Sequence, residues 1–306
     1  MVMKSSTPSI NPYIALISGV MAVSTGAIFA RIADAPALVI AAYRVGLATL
    51  VLAPLAWWKA RDELLSLSAR DLKLIMLAGF FLALHFATWI SSLDYTSVAN
   101  SVVLVNTNPL WVALFTPFVT GERIRSFTWI SIVVSVAGAG IIGAGDFASG
   151  GKALLGDVLA LCGSICAGLY LLLGRHLRAR LSLPAYVIVC YGSAAAILWA
   201  VVLLLGLQIT GFSSTTVSAF WAMALITQVI GHSSYNWALK WFSAGMIAVS
   251  LLGEPVGSTI LAYFIFHEEL TWSKLLGGIL ILAAIYLAAA GERRETGHEF
   301  RHTPET

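Results

Sequence analysis

Apolar runs of about 20 residues follow one another along the chain from position 12 to position 291. A run of that length crosses the hydrocarbon core of a bilayer when it is helical. Charge supports the same reading. Only 11% of the 306 residues are charged, against about 25% in an ordinary soluble domain. That is too little charge to cover a soluble globule and too much apolar surface for a disordered chain. The two-residue alternation of a barrel strand is absent. The expected fold class is an all-α integral membrane protein with ten transmembrane helices.

The ten segments are expected at 12–33, 36–58, 72–93, 95–119, 127–145, 153–174, 185–206, 217–239, 243–266 and 275–291. The loops between them are brief. Positions 292–306 form an expected polar cytoplasmic tail. Lys4 alone precedes the first run, with no small-residue cleavage pattern after it, so that run is expected to stay as a helix. If both ends lie on one side, fourteen of the 18 Lys and Arg residues fall there and three on the other, with Arg44 inside a helix. The positive-inside rule then places both termini in the cytoplasm. The expected location is the cell inner membrane, crossed many times.

The chain also resembles itself at a shift of 146. Asn108-Pro109 falls on Glu254-Pro255, Gly121-Glu122 on His267-Glu268, Leu93 on Leu239 and Ser97 on Ser243. His85 maps one residue from His232, and Gly26 pairs with Gly168 at a shift of 142. Each copy holds five segments, so the second must run through the membrane in the opposite sense. The expected units are 12–145 and 153–291. Inverted repeats of this kind are a device of carriers that alternate access, although duplication retained for stability alone gives the same pattern.

These motifs carry a resemblance. Leu252-Gly253-Glu254-Pro255-Val256, His267-Glu268-Glu269-Leu270-Thr271 and Gly277-Gly278, answered by Asn108-Pro109-Leu110 and Gly121-Glu122-Arg123-Ile124, look like those of the EamA-type family of the drug/metabolite transporter superfamily. The likeness spans roughly 13–290. It departs where His267 stands in place of the family's usual glycine. The resemblance implies a secondary transporter, often an exporter, of amino acids, nucleobases, related metabolites or drugs.

Two deep charges stand out. Arg44 lies about 12 Å inside the second segment, where a guanidinium stays charged and is costly to bury unpaired. It is a candidate site for a substrate carboxylate, or one half of a structural pair. Glu254 precedes a proline that loosens its helix. It is a candidate for proton coupling or substrate contact, or a partner of Arg44. Asn108 is its counterpart in the first half. His85 and Trp89 share one helical face with Ser92. Gln228, His232 and Asn236 share another, beside Tyr235. Polar faces of this kind belong against a cavity, though each residue could equally tie helices together. The expected substrate-binding set is therefore Arg44, His85, Trp89, Asn108, Gln228, His232, Asn236 and Glu254. The proton-coupling candidates are Glu254, His85 and His232. Asn100 and Thr107 repeat the polar pattern in the fourth segment.

Ser18, Ala22, Gly26 and Ala30, and again Gly156, Ala160, Ser164 and Gly168, recur every fourth residue. They are expected to let the two symmetry-related helices pack closely or slide. Glu122 and Glu268 are expected at membrane borders in structural roles. Trp57, Trp58, Trp129, Trp221, Trp241 and Trp272 fit interfacial anchors. Trp111 does not.

Other functions find little support. Cys162, Cys166 and Cys190 give no disulfide or zinc framework, and no metal or cofactor is expected. A phosphate-cradling GxxxxGK[ST] loop is absent, as is a Gly-x-Ser-x-Gly nucleophile motif. His267-Glu268-Glu269 lacks the second histidine of a zinc helix, because position 271 is Thr. An enzyme is therefore not expected. No basic face suits nucleic acid. The expected partners are a small-molecule substrate, the lipid bilayer and protons as a coupling ion, for a monomer or homodimer. A facilitative uniporter or channel-like permease is the alternative, and a membrane-embedded enzyme a distant third.

Overall fold

The computed structural model describes residues 8, 10–96, 98–119, 121, 126–143, 151–267 and 271–299. Glu122, Glu268 and Ser97 lie outside the described residues, as does the side chain of Asn100. The described chain is a bundle of helices. In order they are α1 (Pro12–Val23), α2 (Gly26–Ile32), α3 (Ala37–Leu65), α4 (Ala69–Ser92), α5 (Val98–Val105), α6 (Asn108–Val119) and α7 (Ser126–Gly143). There follow α8 (Gly151–Arg178), α9 (Leu183–Leu204), α10 (Ser214–Ala222), a π-helical segment Met223–His232 and α11 (Ser233–Ala238). Last come α12 (Ala244–Leu251), α13 (Gly253–Phe266) and α14 (Trp272–Glu299).

Among the described residues, seven helical stretches are long and apolar enough to cross a membrane. They are Pro12–Ile32, Ala37–Leu65, Ala69–Ser92, Leu154–Arg178, Leu183–Leu204, Ser214–Ala238 and Ala244–Ile265. Three shorter apolar helices, Asn108–Val119, Trp129–Gly138 and Leu275–Ala288, fall at the remaining expected segments. This is a multi-span membrane protein. Its surface agrees: Phe118, Leu204 and Trp272 are more than four-fifths exposed, which suits side chains facing lipid rather than water. α14 continues into the expected tail as far as Glu299. α3 likewise runs past the expected 58 to Leu65, with an irregular joint at Ala60.

Among the described residues, three helical runs are broken. α1 gives way to α2 at Ser24-Thr25. There the Ser24 and Thr25 hydroxyls donate to the Val20 and Ala22 carbonyls, a bond that competes with the backbone ladder and bends helices. α5 stops before Asn106-Thr107, and α12 before Leu252. Both breaks set a proline, Pro109 or Pro255, in the first turn of the next helix, where its missing N–H costs nothing.

Element bounds repeat at the shift of 146. α4 ends at Ser92 and α11 at Ala238, while α5 spans Val98–Val105 and α12 spans Ala244–Leu251. The backbone at Gly121 (φ 73°) is matched by His267 (φ 56°). A left-handed turn suits glycine and is uncommon for histidine, so the turn at His267 forms without the residue that favours it.

α7 packs on α14, and α3 on α9. α4 packs on α8, while α1 packs on the π-helical segment and α11. Glycines of the small-residue ladders come close to neighbouring segments. Gly156 approaches Thr96 and Gly168 approaches Trp111 of α6, whereas Gly26 approaches Thr227. That contact accounts for Trp111, which sits in the bundle rather than at an interface.

Candidate functional site

The breaks and the π-helical segment converge on one cavity. Val23, Arg44, His85, Phe86, Trp89, Val105, Thr227, His232 and Glu254 line it, around at most about 260 Å³ of empty space. Val23 ends α1, Val105 ends α5 and Glu254 lies in the first turn of α13. Each helix break therefore contributes a residue to the wall.

Arg44 comes from α3 and is 1% exposed. Its Nε donates to Gln228 Oε1 at 2.9 Å, and its guanidinium carbon lies 4.1 Å from the centre of the Phe86 ring. These contacts brace the flat of the group and one edge. The two terminal nitrogens have no hydrogen-bond partner among the described residues. A planar fork with two free donors matches a carboxylate.

Glu254 lies in the first turn of α13 and is partly open to the cavity. Among the described residues its carboxylate accepts no hydrogen bond, and no ion pair within 4.0 Å joins it to Arg44. The cavity thus holds a cation and an anion that attract each other without a hydrogen-bonded ion pair between them.

Two imidazoles complete the wall. His85 Nδ1 meets the Gly163 carbonyl at 3.0 Å. A carbonyl only accepts, so this nitrogen carries the proton and Nε2 is the titrating one. Its ring stacks on Trp89, with centroids 5.9 Å apart and 7° between planes. Trp89 Nε1 is buried without a partner. His232 Nδ1 bonds the Tyr235 hydroxyl, and its ring lies 5.2 Å from that of Phe86.

Five of the eight residues expected to bind substrate, Arg44, His85, Trp89, His232 and Glu254, line the cavity. Gln228 stands behind it as the brace of Arg44, with Nε2 unpartnered. Asn108 is buried at the start of α6 and does not line the cavity; its Oδ1 also lacks a partner. Asn236 is turned away entirely. Its Nδ2 donates to the Tyr170 and Tyr191 hydroxyls. The shared face expected for Gln228, His232 and Asn236 assumed α-helical spacing. The π-helical segment instead bonds five residues apart, and so aligns Thr227 with His232 on the cavity side.

Thr227, Phe86 and the tyrosines around Asn236 were not anticipated. The tyrosines carried a signal, being hydroxyls set in otherwise apolar segments. Among the described residues, no three His, Cys, Asp or Glu side chains gather as a metal site would require.

A multi-span helical bundle with a small, charged, centrally placed cavity defines a class of membrane transport proteins. The comparisons carry this further. The pattern of the EamA-like transporter family matches twice, at residues 11–144 and 154–290. This chain belongs to that family. An uncharacterised transporter of Archaeoglobus fulgidus is 27% identical over 261 residues, covering 83% of this chain and 88% of the relative. An uncharacterised transporter of Clostridium kluyveri is 25% identical over 245 residues, covering 76% and 77%. A solved crystal structure of a protein only 18% identical superimposes with a TM-score of 0.77 over 92% of this chain and 98% of its own. At that identity the likeness speaks for the fold. The protein is a membrane transporter of the drug/metabolite transporter superfamily.

Proposed function

We propose that the chain is a secondary active carrier of small organic metabolites, amino acids or similar amphiphiles, built as ten spans in two inverted five-helix repeats. The repeats, 12–145 and 153–291, alternate access to the central cavity. The observation that carries this reading is the cavity itself, where the free Arg44 fork and the unpartnered Glu254 carboxylate face one small space. A zwitterion supplies a carboxylate for the first and an ammonium for the second. The stacked His85 and Trp89 add an aromatic wall.

The repeat layout is supported by the matched bounds at a shift of 146 and by the exchangeable packing. α4 on α8 has its mate in the π-helical segment on α1, and α7 on α14 and α3 on α9 are their own mates. Repeats of five spans run through the membrane in opposite senses, the arrangement common in alternating-access carriers. Glu254, with His85 and His232 beside it, is the proposed proton-coupling group. The basic side is the proposed cytoplasmic side of the inner membrane, with both termini there. Export is the direction the family resemblance implies. The proposed partners are the substrate, protons and the surrounding lipid, for a monomer or homodimer.

The test is uptake of radiolabelled amino acids into proteoliposomes, with and without a pH gradient. Saturable, gradient-stimulated flux is expected. Flux that rises linearly with concentration and ignores the gradient would support a channel-like permease instead.

A further inference from the structure

One end of the bundle contains buried polar groups that the cavity does not use. Beneath His232, on the side of the α8–α9 loop, the Asn236 amide of α11 ties together the Tyr170 hydroxyl of α8 and the Tyr191 hydroxyl of α9, the latter at 3.0 Å. Tyr191 also reaches Ser233 Oγ at 3.4 Å. Tyr235 joins the layer to His232 on the cavity wall. Asn236, Tyr170 and Tyr191 are at most 1% exposed. The three side chains are packed into the protein and shielded from solvent.

A second layer lies closer to the surface. Arg178, 2% exposed, donates to the backbone carbonyls of Asn236 (3.1 Å) and Leu181. Arg175 donates to the Leu239 carbonyl at 2.9 Å. α3 and α4 clasp the same loop: Glu63 accepts from the Ser182 amide at 2.8 Å, and Asp71 pairs with Arg180. Both proposed halves thus grip the α8–α9 loop.

We infer that Asn236, Tyr170 and Tyr191 form a gate that closes the central cavity on the basic side and comes apart when the carrier turns to face that side. The inference rests on the carrier reading above. A purely structural cluster would be fully paired. This one leaves Asn236 Oδ1 buried without a partner, as expected of a group that has a second arrangement available.

The protein carries its own reporter. Cys190 lies on α9 next to Tyr191 and is fully buried. In a Cys162→Ala, Cys166→Ala background it is the only thiol. The measurement is the rate of its reaction with N-ethylmaleimide in reconstituted full-length protein, relative to the same protein unfolded in SDS. A closed gate gives slow labelling. Tyr191→Phe keeps the ring and removes only the hydroxyl. It should speed labelling about fivefold, the population change expected from one net hydrogen bond. Asn236→Leu, which removes both tyrosine bonds, should speed it further. Glu63→Gln, at the surface layer, should act in the same direction.

Fast labelling before any substitution would overturn the gate, as would a rate that Tyr191→Phe and Asn236→Leu both leave unchanged. The thiol rate reads conformation and not flux. Gated labelling without amino-acid flux would therefore support the gate while removing the proposed substrate, and ungated labelling with flux would do the reverse.

Discussion

Arg44→Met separates recognition of a carboxylate from everything else Arg44 does. Methionine keeps much of the side-chain volume and loses the charge. In the structure the fork presents two unpartnered nitrogens to the cavity. If only one net charge-assisted hydrogen bond to a substrate carboxylate is lost, the cost is about 1.5–3 kcal/mol, or about 10- to 150-fold in affinity. Stability changes too. Gln228 Oε1 loses its donor at about 1–3 kcal/mol, and the contact over Phe86 loses about 0.5–2 kcal/mol. Relief from burying a charge offsets part of this. The readout should therefore be a ratio that is independent of how much protein is folded. The assay is competition in proteoliposomes between the best-transported amino acid and its uncharged amide. The native protein should favour the carboxylate strongly. Arg44→Met should erase that preference by about 10- to 150-fold, and Arg44→Lys, which keeps charge without the fork, should fall between. An unchanged preference in Arg44→Met would refute carboxylate recognition at this site.

Other outcomes follow from the same geometry. Glu254→Gln should abolish stimulation by a pH gradient while leaving exchange of substrate across the membrane intact; continued gradient-driven accumulation would remove Glu254 from proton coupling. Trp89→Phe keeps the stack on His85 and deletes the unpartnered indole donor. It should raise KM about fivefold with little change in maximal rate, as one lost hydrogen bond does; an unaltered KM would mean that the donor never meets substrate. Gly79→Ala would press a Cβ on Ser193 and to 2.5 Å from the Cys190 carbonyl. Overpacking of that kind costs about 1–3 kcal/mol, so the melting temperature in detergent should drop, and an unchanged one would show that α4 and α9 are less tightly joined.

Much of the architecture was readable from local chemistry. Apolar length marks the crossings, and the paired prolines at 109 and 255 mark two breaks because a proline imposes its constraint wherever it falls. The break at Ser24-Thr25 was not legible, since it depends on hydroxyls bonding back to carbonyls rather than on a helix-breaking residue. Arg44 and Glu254 stood out because charge is expensive at that depth. Asn236 is held off the cavity by the Tyr170 and Tyr191 hydroxyls, and Gln228 was set on the wrong face for a different reason. Spacing arguments assume 3.6 residues per turn, and no residue in Met223–His232 announces a π-helix. Phe86 reads in sequence as ordinary core, and only its place under the guanidinium distinguishes it.

Solute counterflow is the most direct test of carriage by alternating access. Proteoliposomes loaded with unlabelled amino acid are diluted into trace label, with no ion gradient present. A carrier returning through the cavity with bound substrate gives a transient overshoot of label above equilibrium, lost in Arg44→Met. Label that enters without overshoot, at a rate indifferent to the internal load, would contradict the alternating mechanism and leave a pore.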